Sequence, residues 1–64
     1  MSLSLINKLY KGCLFIQDGK NYLVESVREI NDTDEKISVW LVTHEADFEI
    51  YNGSYSDFIS KVVK

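Results

Sequence analysis

Alternating apolar and polar residues through the middle of the chain predict a small antiparallel sheet. Residues 36–43 are rich in β-branched and aromatic side chains and form its clearest strand. Two strands precede it, over residues 14–16 and about 21–29. The Asp18-Gly19 pair between them indicates a tight hairpin turn, because glycine tolerates the positive φ that such turns require.

A fourth strand is predicted over residues 48–51, where apolar and polar side chains alternate again. It pairs with the strand 36–43 across a turn at 44–47. A bulge near Glu25-Ser26 is needed to keep the apolar residues of the second strand on one face. Three consecutive hairpins then make a meander, and the sheet has four or five strands.

The hydrophobic period changes to that of a helix near the C-terminus, which predicts a helix over about 55–63 packed on the sheet. Its apolar face consists of Tyr55, Phe58, Ile59 and Val62. Ser54 followed by Asp57 resembles a capping box at its start. Residues 2–10 fit either a short helix or a strand, and the helix is favoured.

The faces of these strands separate a predicted core from a candidate binding surface. The residues assigned to the core are Phe15, Tyr22, Phe48 and Phe58. Trp40 and Tyr51 are placed on the opposite face, where Val42 and Leu23 extend them into one patch. Tryptophan and tyrosine dominate interface hot spots, and exposed apolar patches mark interaction surfaces. The patch is therefore predicted to bind another protein or a second copy of this chain, unless the N-terminal segment or the C-terminal helix covers it.

The first hairpin carries a succession of short motifs, namely Lys11-Gly12, Phe15-Ile16, Asp18-Gly19-Lys20 and Tyr22-x-Val24. This succession resembles the opening of SH3-like small β-barrels, which include the amino-terminal barrel of translation elongation factor P and small phage and bacterial proteins of unknown function. The resemblance implies that Gly12 and Gly19 are turn residues. Together with the predicted strands and C-terminal helix, it indicates an α+β fold for residues 1–64, a single domain whose antiparallel sheet curls toward an SH3-like barrel with that helix packed on it.

Composition excludes several classes of protein. The chain has 64 residues and a single cysteine, so it is one small domain without an internal disulfide. No apolar run reaches the length of a membrane span, and the N-terminus lacks the features of a signal peptide, so a cytoplasmic protein is expected. Cys13 and His44 are the only pair available for nucleophilic catalysis, and no second histidine or cysteine completes a zinc site. We therefore predict no enzyme, no cofactor and no metal.

The net charge of −3 is unevenly distributed. Residues 25–49 carry eight acidic side chains against two basic ones, whereas the two ends of the chain are mildly basic. Glu45, Asp47 and Glu49 are predicted to form an acidic rim beside the aromatic patch, which favours a partner with a basic surface. The alternative is a nucleic-acid-binding barrel, if the chain ends bring their lysines to one face. These lysines are Lys8, Lys11, Lys20, Lys61 and Lys64.

Overall fold

Five antiparallel strands form one open sheet in the computed structural model, which describes residues 2–63. The elements are α1 (Leu3–Tyr10), β1 (Leu14–Gln17), β2 (Lys20–Asn31), β3 (Lys36–Val42), β4 (Phe48–Ser54), α2 (Tyr55–Lys61) and β5 (Val62–Val63). The strand order is β4-β3-β2-β1-β5, so the predicted meander is confirmed and β4 and β5 are the edges. The sheet does not close into a barrel, because no pairing joins these two edges within the described residues.

Both helices pack on the same side of the sheet. Ile6 and Tyr10 of α1 and Phe58 of α2 belong to one buried cluster with the inward-facing residues of the strands. The ring of Phe58 stacks on Phe15 at 5.6 Å and meets Tyr10 edge-on at 5.4 Å. The predicted N-terminal helix is thus confirmed as α1. Its buried residues pack on the same side of the sheet as those of α2.

Two bulges in β2 shape the contact with α1. The predicted bulge is present, as a shift of register between Val24 and Ser26, and a second shift lies between Val27 and Glu29. The Asn7 side chain reaches the backbone between them. Its Oδ1 accepts from the Val27 N–H at 2.7 Å and its Nδ2 donates to the Val27 carbonyl at 2.8 Å. One helical amide therefore pairs with both polar groups of a strand residue.

The C-terminal helix is shorter than predicted. Ser54 caps it as expected, since its hydroxyl accepts from the Asp57 N–H at 3.1 Å. The helix ends at Lys61, and Val62 and Val63 pair with β1 as a fifth strand. β-Branched valines suit an extended strand better than a helix end, and the free edge of β1 offers them backbone partners.

The β3–β4 hairpin corrects two predicted positions. A turn at 44–47 after a strand ending at residue 43 would pair Thr43 with Phe48, but the observed register pairs Val42 with Phe48. Ala46 adopts a left-handed φ of 67°, which accommodates the longer connection. A slip of one residue exchanges the faces of a whole strand. Phe48 is therefore 59% exposed instead of buried, and Tyr51 is 8% exposed in the core instead of lying beside Trp40.

Candidate protein-binding surface

The side of the sheet opposite the helices carries a continuous apolar region that neither helix covers within residues 2–63. We call it the open face. One row of paired residues crosses all five strands, in the order Phe48, Val42, Leu23, Leu14 and Val63. Ile50 and Trp40 form a second pair beside this row. Antiparallel sheets that face water on one side normally carry polar residues there, so this face is unusual for a surface left in solvent.

The most exposed part of the open face lies on the edge strand β4. Phe48 and Ile50 are 59% and 56% exposed. The sequence-based patch omitted both residues, because the wrong hairpin register turned Phe48 into the core. Trp40, Val42 and Leu23 do share this face, as expected, whereas Tyr51 does not. No sequence signal identified Phe48 and Ile50, because the length of the turn after Val42 depends on the left-handed φ of Ala46.

Trp40 is half-buried because its neighbours cover parts of its ring. The Arg28 guanidinium lies over the ring with its Cζ 4.5 Å from the centroid, and Phe48 meets the ring at 6.0 Å. Arg28 also pairs with Glu25 at 3.5 Å and donates from Nε to the Ser26 hydroxyl. The bulged segment of β2 thus holds the positively charged Arg28 guanidinium over one side of the Trp40 ring. Arg28 was not predicted, because its contact with Trp40 depends on the register in which β2 and β3 pair.

The predicted acidic rim lies at one end of the sheet. Glu45, Asp47 and Glu49 line a shallow groove of about 540 Å³ together with Lys20 and Tyr22. A smaller depression of about 360 Å³ in the open face is lined by apolar residues that include Leu14, Leu23 and Val42. The two share four lining residues, Asn21, Tyr22, Thr43 and His44. Acidic and apolar surfaces are therefore contiguous at this end of the molecule.

The negative charge of the groove affects the pKa of Tyr22. Its hydrogen-bonding interaction with Glu49 is the largest cause that raises the pKa of the Tyr22 hydroxyl, followed by partial desolvation and by the negative charges of Glu49 and Asp18. The folded state therefore retains this proton more strongly than the unfolded chain. The resulting stabilisation is fully present below a pH of about 10 and is lost as the pH rises through the pKa of the folded state.

We expect Glu49→Gln to lower the pKa of Tyr22 toward its ordinary value, because the substitution removes the negative charge that faces the hydroxyl. Glu45→Gln is the matched control, since Glu45 lines the same groove but is not among the causes of this shift. NMR titration of the labelled tyrosine ring carbons measures the Tyr22 pKa in both variants. An unchanged Tyr22 pKa in Glu49→Gln would show that Glu49 does not act on this hydroxyl in solution.

The predicted lysine set is divided among several elements. Lys8 is on α1, Lys11 directly follows this helix, and Lys64 lies outside the described residues. Lys20 lines the groove beside three carboxylates, so its charge is opposed locally. The Lys61 ammonium lies over the Tyr51 ring, 5.4 Å from its centroid.

Among residues 2–63, the histidine, cysteine, aspartate and glutamate side chains form no group of three that could hold a metal ion. None of the helices described is both long enough and apolar enough to cross a membrane. Comparison with protein families, with curated proteins and with solved structures finds no match to this chain.

Proposed function

We propose that this chain is a non-enzymatic module that binds another protein through the open face of its sheet. The observation that carries the proposal is the apolar row across all five strands, from Phe48 to Val63. Burying apolar surface drives most protein association, and a continuous exposed patch of this kind is costly to leave in water. Trp40, with Arg28 over its ring, supplies the side-chain types that dominate interface hot spots.

The contiguous acidic groove indicates the chemistry of the partner. Glu45, Asp47 and Glu49 outnumber the single lysine that lines the groove with them. A partner that places an apolar centre against Trp40 and Phe48 and a basic segment beside this groove would complement both surfaces. Such charges mainly raise the association rate and fix the orientation of binding, whereas the apolar contacts supply most of the affinity.

As part of this proposal, the module acts in the cytoplasm as an accessory or inhibitory protein of a phage or bacterium. Its small size and acidity support docking on a larger basic target. The SH3-like resemblance of the first hairpin is compatible with this role but adds nothing specific, because small β folds host many activities. The nucleic-acid-binding alternative has less support, since Lys20 lies among carboxylates.

We expect Phe48→Lys to abolish capture of the partner while leaving the fold intact, because it places a charge in the most exposed part of the open face, on a side chain that is 59% exposed. Loss of a hot spot of this kind weakens binding by about 30-fold or more. The measurement is affinity capture with the tagged chain from nuclease-treated lysate of the source cells. Leu5→Lys is the matched control, since Leu5 is 52% exposed on the helical side.

The outcomes separate the candidate functions. A protein captured by the chain and by Leu5→Lys, but lost with Phe48→Lys, supports the open face as the binding surface. Equal capture by the unmodified chain, Leu5→Lys and Phe48→Lys would exclude the open face as the binding surface. Binding of oligonucleotides that weakens steeply between low and high salt would favour the nucleic-acid alternative instead.

A further inference from the structure

The two edges of the sheet differ in length and protection. β5 has two residues, whereas β4 runs unpaired on its outer side for seven, from Phe48 to Ser54, within the described part of the chain. Native proteins protect long edge strands with lysine, proline or bulges. β4 contains no lysine, arginine or proline, and its register with β3 is unbroken from Val42↔Phe48 to Lys36↔Ser54. It is an unprotected template for pairing with another strand.

The hydrogen bonds at both ends of this hairpin show which backbone groups of β4 face outward. The Thr43 N–H donates to the Asp47 carbonyl at 2.8 Å, and the Tyr55 N–H donates to the Glu35 carbonyl at 2.7 Å. Bonded positions alternate along an antiparallel pair, so odd-numbered residues from 47 to 55 turn their backbone groups toward β3. The N–H and C=O groups of Phe48, Ile50 and Asn52 therefore point away from the sheet.

We infer that a second copy of this chain pairs with β4 in antiparallel orientation about a two-fold axis, joining the two sheets into one. The strand is self-complementary in the register centred on Ile50. Ile50 then pairs with its own counterpart and Phe48 pairs with Asn52 of the second copy, so each outward N–H meets a carbonyl. Glu49, the only charged residue of β4, opposes Tyr51 of the second copy instead of another carboxylate.

The position of the apolar residues on the open face also favours a second copy of this chain as the partner of β4. Its two most exposed residues, Phe48 and Ile50, lie on the strand that would form the junction. Pairing would bring the apolar side chains of the two copies into contact there and join the open faces into one larger surface. Small domains commonly gain stability from such association. Because the contact is made by the edge strand, this inference holds whether or not the open face binds another protein.

Asn52→Pro tests the pairing without altering the apolar residues of the open face. Proline removes an outward N–H that β3 does not use, and proline is tolerated on edge strands. The two-fold axis doubles the effect of each substitution. Loss of the two bonds should weaken dimerisation by roughly 5- to 150-fold. Sedimentation equilibrium of the full chain measures this as a shift from twice the 7.4 kDa mass to the mass of one chain.

Asn52→Lys is the second variant, in case proline disturbs the strand, because it leaves the backbone unchanged and adds the charge that protected edges carry. Amide hydrogen exchange supplies a direct readout of the pairing. We expect the Phe48, Ile50 and Asn52 amides to become protected as the concentration of the chain rises, and the Phe48 and Ile50 amides to lose this protection in both variants. The Glu49 and Tyr51 amides, which face β3, are the internal reference.

Three results would overturn the inference. The first is a chain that stays monomeric to millimolar concentration. The second is a dimer that persists in both Asn52 variants. The third is a dimer in which the outward amides stay unprotected and which only Phe48→Lys dissociates, since stacking of open faces would then be the contact. Failure of the proposed function is recognised separately, by capture that does not respond to Phe48→Lys.

Discussion

Phe58→Ala is expected to remove about 3–5 kcal/mol from the free energy of unfolding, which is the usual cost of deleting a fully buried phenylalanine. Phe58 has no exposed surface and contacts the rings of Tyr10, Phe15 and Tyr51, on α1, β1 and β4. Its ring therefore connects both helices to the sheet. A domain of this size has a total stability of only about 3–10 kcal/mol.

Thermal and urea unfolding followed by far-ultraviolet circular dichroism measure this loss. The Tm should fall by at least about 12 °C, and at the lower end of the stability range the chain should be unfolded at room temperature. Phe48→Ala is the matched control, because it makes the same chemical change on the open face, where the ring is 59% exposed. Equal losses in the two variants would contradict the placement of Phe58 at the centre of the core.

Local sequence patterns were sufficient for most elements of this fold. Both helices, the hairpin at Asp18-Gly19 and the first β2 bulge follow from periodicity, capping and turn chemistry, each of which acts over a few residues. Gly12 and Gly19 lie in turns and adopt positive φ values of 85° and 77°. The residues responsible for these features are close together in the chain, so no knowledge of tertiary packing is needed to identify them.

The error in the binding surface had a different origin. The apolar alternation of residues 48–51 is compatible with either face, and only the turn decides which side chains point toward the helices. That decision depends on Ala46 entering a left-handed conformation, which alanine rarely adopts and which no sequence rule favours. One residue of turn length therefore moved Phe48 to the surface and Tyr51 to the core.

The remaining features could not be predicted because they depend on contacts between distant segments. Val62 and Val63 become a strand only because β1 has a free edge beside them. Arg28 contacts Trp40 only because β2 pairs with β3 in the register that sets Ser26 opposite Trp40. β1 pairs with β2 only as far as Leu23, so the outward backbone groups of Val27 need a partner outside the sheet, and Asn7 on α1 supplies it.

Asn7→Ala is therefore expected to cost about 2–4 kcal/mol, because it leaves both the N–H and the carbonyl of Val27 without the amide that satisfies them. Chemical unfolding measures the loss, and faster hydrogen exchange of the Val27 amide should accompany it. Asn21→Ala is the control, since Asn21 is an exposed asparagine on β2. A loss no larger than that of the control would show that Asn7 does not hold α1 on the sheet.

Asn7→Asp distinguishes this hydrogen-bonding role from simple packing. An ionised carboxylate can still accept from the Val27 N–H, but it cannot donate to the Val27 carbonyl and instead repels it. Protonation restores a donor, so the pKa of the introduced carboxyl should be raised in the folded state. The stability deficit relative to the wild-type chain should then be largest at neutral pH and shrink as the pH falls through that pKa. A deficit that is independent of pH would mean that shape alone, and not the paired hydrogen bonds, positions α1 over the bulged strand.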